Sequence, residues 1–182
     1  MFLVALGEFM DTELDRIAFS DGDSAKDITY RRFSSDISSA IVLLENEWQD
    51  SSAILGLSPK LGPYLHWVMT CAATSLNIAT LAMRPNQTVY DDLAVAGPID
   101  PMRQGRSILF DHTVLAELRT EVTDEGEAYS SFLRAMEEGQ GDILRRVVLT
   151  SGSTGLPKAV PITNDLLNKR IRVAAQQMRW TP

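Results

Sequence analysis

Cysteine is almost absent from this chain: Cys71 is the only one, so no disulfide can form within it, and a reducing, cytoplasmic setting is the simplest expectation. Long apolar runs are missing as well. None approaches the roughly 20 residues of a membrane span, and the apolar opening at residues 1–6 is short, has no basic lead and runs into Glu8 and Asp11, unlike a secretory signal. Positive charge is in deficit, with 17 Lys and Arg against 24 Asp and Glu, a formal net charge of -7 and a pI of about 4.8. Nucleic-acid-binding surfaces are normally basic, so that class of partner is excluded. Histidine is scarce too. His66 and His112 have no neighbours at metal-ligand or triad spacing, so no metal site and no catalytic residue is assigned within the chain. No repeat, low-complexity tract or shift of composition marks a second domain.

What is present is enough apolar material for a core: 45% of 182 residues. Residues 15–20 alternate apolar and polar up to the turn at Asp21-Gly22-Asp23, and Ile28 to Tyr30 resume after it, which predicts a β-hairpin. From Arg31 the period changes, and Phe33, Ile37, Ala40, Ile41 and Leu44 share one face of a helix reaching about Trp48. Residues 53–57 read as a buried strand, and Pro63 opens a long helix with Leu65, Val68, Met69 and Ala72 inward and Cys71 buried. Asn77 suits a left-handed stop for that helix, and residues 78–83 suit another inner strand. Residues 84–105 read as a polar, turn-rich connector. A strand is expected at 106–110, a helix from His112 to about Val122, and a short helix at 129–136. Such alternation of strands and helices implies an α/β fold with a mostly parallel sheet.

The run from Val147 to Val160 is the most specific feature. Val147, Val148 and Leu149 suit a short strand enclosed on both faces. Thr150, Ser151, Gly152, Ser153, Thr154 and Gly155 then form a loop rich in hydroxyls and glycine, and Lys158 brings the one full positive charge. Glycine allows a ligand to approach main-chain NH groups closely, so this composition suits a polyanion such as a chain of phosphates. A Walker-type loop does not fit, because Leu156 and Pro157 separate Gly155 from Lys158; a dinucleotide fingerprint lacks its first glycine. Val160 and Ile162 extend a second strand, and Thr163 or Asn164 can cap a helix carrying Leu166, Leu167, Ile171, Val173, Ala174 and Met178. Lys169, Arg170, Arg172 and Arg179 cluster there in an otherwise acidic protein, each read as part of a solvated face.

The loop resembles the phosphate-binding loop of the adenylate-forming (AMP-binding) enzyme superfamily, which includes acyl-CoA synthetases, firefly-type luciferases and the adenylation domains of peptide synthetases. Its pattern, Thr-Ser-Gly-Ser/Thr-Thr-Gly-x-Pro-Lys-Gly-Val, is met at Thr150, Ser151, Gly152, Ser153, Thr154, Gly155, Pro157, Lys158 and Val160. Ala159 stands where the family usually has glycine, and Asn164 where many members have histidine. Weaker matches are Asp15-Arg16-Ile17-Ala18-Phe19, Thr29-Tyr30 and residues 53–82.

The resemblance implies that residues 1–182 are a partial N-terminal AMP-binding domain, the incomplete opening of the large domain, ending just after the loop and without a C-terminal domain. It further implies part of an ATP-dependent acyl-activating ligase: a carboxylic acid and ATP give an acyl-adenylate and pyrophosphate, and a thiol of coenzyme A or pantetheine then takes the acyl group. ATP and Mg2+ are the implied cofactors. Thr150, Ser151, Gly152, Ser153, Thr154, Gly155 and Lys158 are the implied nucleotide-binding residues, and the remainder of the adenylating domain is the implied partner. The other reading is a non-catalytic remnant or interaction module that keeps the loop as a nucleotide or phosphate site.

Overall fold

A computed structural model of the chain describes residues 14–20, 27–47, 54–57, 61–82, 94–95, 127–138, 143–150 and 158–177. The strand expected at 106–110, the helix expected at 112–122 and Arg179 lie outside these residues. Strands β1 (Ile17–Phe19) and β2 (Ile28–Thr29) pair antiparallel, as the alternation predicts. Helix α1 (Tyr30–Glu47) follows directly. Thr29 Oγ1 accepts a hydrogen bond from the Arg32 amide at 3.2 Å, satisfying one of the donors that a helix leaves open at its start. Phe33, Ile37, Ala40 and Leu44 are all buried, which is the inward face that the helical period foretold.

Strand β3 (Ile54–Leu57), helix α2 (Gly62–Ser75) and strand β4 (Ala79–Ala82) form a β-α-β unit with β3 and β4 parallel. Gly62 has φ +72, a left-handed conformation that glycine adopts without strain, and Pro63 sits in the first turn, where its missing NH costs nothing. At the other end Asn77 has φ 57. Its amide donates to Thr74 O at 3.1 Å, and the Ile78 amide donates to Ala73 O at 2.8 Å, a Schellman closure that stops the helix where the sequence places the stop.

Strand β5 (Ala94–Val95), helix α3 (Glu127–Glu138), strands β6 (Leu144–Thr150) and β7 (Lys158–Thr163) and helix α4 (Asn164–Gln177) complete the described elements. The five-stranded sheet has the order β3-β4-β6-β7-β5. β3/β4, β4/β6 and β5/β7 are parallel, and β6/β7 is antiparallel. The sheet is therefore mixed and mostly parallel, with helices against it. Residues 84–105 are not wholly a connector: Ala94 and Val95 pair with Lys158 and Ala159, and two residues of parallel strand are too few to leave a periodic trace in a sequence.

Two apolar clusters flank the sheet. Leu55 and Leu57 point into the larger one, formed with α1, α2 and α3, whereas Ile54 joins Ala79, Leu81, Val147 and Ala159 in the smaller, as strand alternation requires. Phe33 is central to the larger cluster, 5.0 Å from the Phe19 ring in an edge contact and 5.4 Å from the Tyr129 ring. Such pairs contribute about 0.5–1.5 kcal/mol each beyond the area they bury. Cys71 is buried here as expected, and burial pushes its thiol well above the ordinary range. Asp36, also buried, accepts hydrogen bonds from Tyr64 Oη at 2.8 Å and Arg32 Nε at 3.2 Å, so this carboxylate is satisfied within the core.

Candidate functional site: the mouth of the β6–β7 hairpin

The seven residues 151–157 join two antiparallel strands whose ladder runs from Leu144 opposite Thr163 to Thr150 opposite Lys158. That register fixes both ends of the glycine-rich run. Thr150 is the last residue of β6 and Lys158 the first of β7, and their Cα positions face each other across the mouth of the loop. Ser151, Gly152, Ser153, Thr154 and Gly155 lie outside the described residues. Of the seven nucleotide-binding residues expected from the sequence, the structure thus brings two together at the loop's base.

Strand β6 departs from expectation in one respect. It is seven residues long rather than three and is not enclosed on both faces: Val147 is 2% exposed but Val148 is 37% exposed. Hairpin strands can leave one face to solvent, and β6 is parallel to β4 on one side but antiparallel to β7 on the other.

A residue that the sequence reading did not single out lies at the opposite end of the hairpin. The ladder slips between Leu144 and Arg146: Leu144 faces Thr163 and Arg146 faces Ile162, so β6 carries one residue more than β7, and that residue is Arg145. Arg145 is 2% exposed. Its Nε donates to Asn164 Oδ1 at 3.0 Å, Nη1 to Thr74 O at 3.1 Å and to Asn77 Oδ1 at 3.0 Å, and Nη2 to Ala135 O at 2.6 Å. These acceptors are neutral oxygens. Burial pulls the guanidinium below its ordinary pKa.

The arrangement is favourable because it answers an existing need. The last carbonyls of a helix lack partners and carry the negative end of its dipole, so a cation is stabilised there. Arg145 meets that end in both α2 and α3. Asn164, fully buried, completes the set: its Nδ2 donates to Met136 O at 2.9 Å, and its own amide donates to Ile143 O at 2.9 Å. Helix α4 starts at the same place, with Thr163 Oγ1 accepting from the Leu166 amide at 3.4 Å, so the cap expected at Thr163 is present. The two consecutive arginines in Leu144-Arg145-Arg146-Val147 do not by themselves tell which goes inside, because the bulge at Arg145 interrupts the alternation that separates neighbours on a regular strand.

Lys169, Arg170 and Arg172 are exposed on α4, the solvated basic face anticipated from the sequence. Among the described residues no three His, Cys, Asp or Glu side chains gather into a metal-binding group, and no helix is long and apolar enough to cross a membrane.

Neither the known family models nor the curated protein sequences contain a match to this chain. Solved structures do. The N-terminal subdomain of Klebsiella oxytoca NpsA in complex with 3-hydroxyanthranilyl-AMSN aligns at TM-score 0.56 and 16% identity, over 88% of this chain and 40% of that one. The likeness is one of fold. Apo MatB from Rhodopseudomonas palustris aligns at TM-score 0.57 and 15% identity, over 97% of this chain and 38% of its own. A fatty acyl CoA synthetase from Mycobacterium tuberculosis aligns at TM-score 0.57 and 14% identity, over 89% and 34% respectively. The chain therefore has the fold of the N-terminal part of adenylate-forming enzymes, and it spans about two fifths or less of the length of these three neighbours.

Proposed function

We propose that this chain is the nucleotide-phosphate-holding part of an ATP-dependent acyl-activating ligase. The observation that carries the proposal is the coincidence of sequence and place: the stretch that matches the phosphate-loop pattern, from Thr150 to Lys158, is the β6–β7 connection of an adenylate-forming fold, with its two ends held opposite each other. Neighbours of that fold include a fatty acyl CoA synthetase and a protein complexed with 3-hydroxyanthranilyl-AMSN, and both favour a ligase that activates a carboxylic acid.

In that reaction a carboxylate oxygen attacks the α-phosphorus of magnesium-bound ATP, the bond to the bridging oxygen breaks, and pyrophosphate leaves with its electron pair. The acyl-adenylate then passes its acyl group to a thiol of coenzyme A or pantetheine, releasing AMP. The loop performs neither attack. Its part is to hold the β- and γ-phosphates with the hydroxyls of Thr150, Ser151, Ser153 and Thr154, the backbone NH groups around Gly152 and Gly155, and the Lys158 ammonium. Donors placed in advance where charge grows are worth most, because they need no rearrangement as the leaving group departs. Magnesium bound to the nucleotide would supply further neutralisation of that charge beside the loop's own donors.

On this reading residues 1–182 belong to the N-terminal portion of the AMP-binding domain. Calorimetric titration of magnesium-ATP into the natural sequence and into Lys158→Ala tests the assignment. Heat of binding that the substitution abolishes is the expected result, and equal heats from both would overturn it.

A further inference from the structure

We infer that Arg145 is a positioning residue which sets the register of the β6–β7 hairpin, and thereby which residue of β6 stands opposite Lys158 at the mouth of the loop. The ladder holds two registers. At its base Leu144 faces Thr163; above Arg145 the strands are displaced by one residue, and Thr150 faces Lys158. Were β6 to continue from the same base without the extra residue, Leu149 rather than Thr150 would face Lys158. Because side chains alternate along a strand, that one-residue slip would also reverse the face taken by each residue of β6 beyond Leu144 relative to β7.

The guanidinium is what holds the extra residue out. Its four bonds reach α2 and the turn after it through Thr74 and Asn77, α3 through Ala135, and α4 through Asn164. All lie between 2.6 and 3.1 Å, and Arg145 itself is 2% exposed. A buried cation cannot leave such oxygens for an apolar position without losing its solvation altogether, so the displaced register is locked to the frame of the helices rather than to the hairpin's own ladder. Asn164 ties the other strand to the same frame, since it follows β7 directly, accepts from Arg145 and donates to Met136 O. A planar fork with donors in three directions suits this task, and an ammonium group does not.

Register can be read by cysteine cross-linking without any nucleotide. Two double variants of the full chain, Thr150→Cys/Lys158→Cys and Leu149→Cys/Lys158→Cys, are oxidised in parallel, with buried Cys71 left in place. With Arg145 present, the 150/158 pair should close at least about tenfold faster than the 149/158 pair, because one residue of slip displaces a Cα by roughly 3.4 Å and turns its side chain to the other face. Faster closure of 149/158 in that background overturns the inference before Arg145 is touched. Adding Arg145→Met should bring the two rates within about threefold or reverse their order, since Met fills similar space without making a single one of the four bonds. A preference that survives Arg145→Met contradicts the inference. Should that variant not fold, Arg145→Lys decides in the same way, with an intermediate loss expected and an undiminished preference contradicting it.

The consequence for nucleotide binding rests on the phosphate-loop reading, and the two fail separately. Magnesium-ATP is titrated into Arg145→Lys without the added cysteines. A collapsed cross-linking preference with weakened ATP binding supports both. A collapsed preference with unaltered ATP binding supports the register role and counts against the loop.

Discussion

The packed side of the molecule, where α1, α2 and α3 meet β3, and the β6–β7 hairpin are held together by different physics. The first rests on apolar burial: Phe33, Ile37, Leu44, Leu55, Val68 and Met69 are all less than about 4% exposed, and the Phe33 ring meets those of Phe19, Tyr64 and Tyr129. The second has fewer buried apolar side chains and is fastened by directional bonds, with Arg145 and Asn164 linking the base of the hairpin to the ends of α2 and α3. The difference teaches where each job is done. Non-directional burial supplies most of the stability and tolerates some adjustment. Hydrogen-bonded geometry fixes where the base of the hairpin sits against the ends of α2 and α3.

Substitutions should separate the two regions. The largest loss of stability is expected from Phe33→Ala, about 3–5 kcal/mol, because a buried ring is removed from contact with Phe19, Tyr64 and Tyr129 and a cavity remains. Urea denaturation would measure it, and a loss below about 1 kcal/mol would show that the cluster is not the main support. Lys158→Ala should do the reverse. In a complete ligase it should raise the barrier to adenylation by about 2.7–4 kcal/mol, roughly 10²–10³ in kcat, with the denaturation midpoint little changed.

Asn164→Ala comes next, at about 1–3 kcal/mol of stability, since it strands Arg145 Nε in a buried place and leaves Met136 O with only the longer bond from Asn168 Nδ2 at 3.3 Å; amide exchange should quicken at the base of the hairpin before it quickens in α1. Cys71 gives a chemical reading of the packed side. Burial raises its pKa, so thiol reagents at neutral pH should leave it intact in the native chain and modify it fully in denaturant; rapid native labelling would contradict that packing.

The smallest effect belongs to the ion pair of Arg31 Nε with Asp15 Oδ1 at 3.0 Å, which tethers the approach to β1 against α1. Hydrogen bonding to Arg31, together with its charge, holds the Asp15 carboxyl below the usual carboxylate range. A carboxyl lowered in the folded state stabilises above its unfolded pKa and loses that contribution as the pH falls through the folded value. Asp15→Asn should therefore matter little at neutral pH, still less in strong salt, and not at all in strong acid.

Much of the packed side was legible in the sequence because local rules and tertiary structure agree there. The 3.6-residue period of Phe33, Ile37, Ala40 and Leu44, the Pro63 start and the Asn77 stop each specify their own element. A loop between two strands was legible because its residue types are unusual together, but its ends were not: Thr150, read as part of the loop, closes β6, and β7 begins at Lys158 rather than near Val160. Arg145 was not legible. Its burial depends on carbonyls of Thr74 and Ala135 that belong to other elements, and no window of sequence around Leu144 contains them. Strand β5 escaped for want of length, and the exposure of Val148 depends on the antiparallel insertion of the hairpin into an otherwise parallel sheet.

The central claim is that Thr150 to Lys158 hold the outer phosphates of a nucleotide and nothing nearer its base. A double comparison of ATP and AMP, each titrated into the natural sequence and Lys158→Ala, tests it most directly. The substitution should weaken ATP binding and leave any affinity for AMP as it was. Equal weakening of both, or none of either, would contradict it.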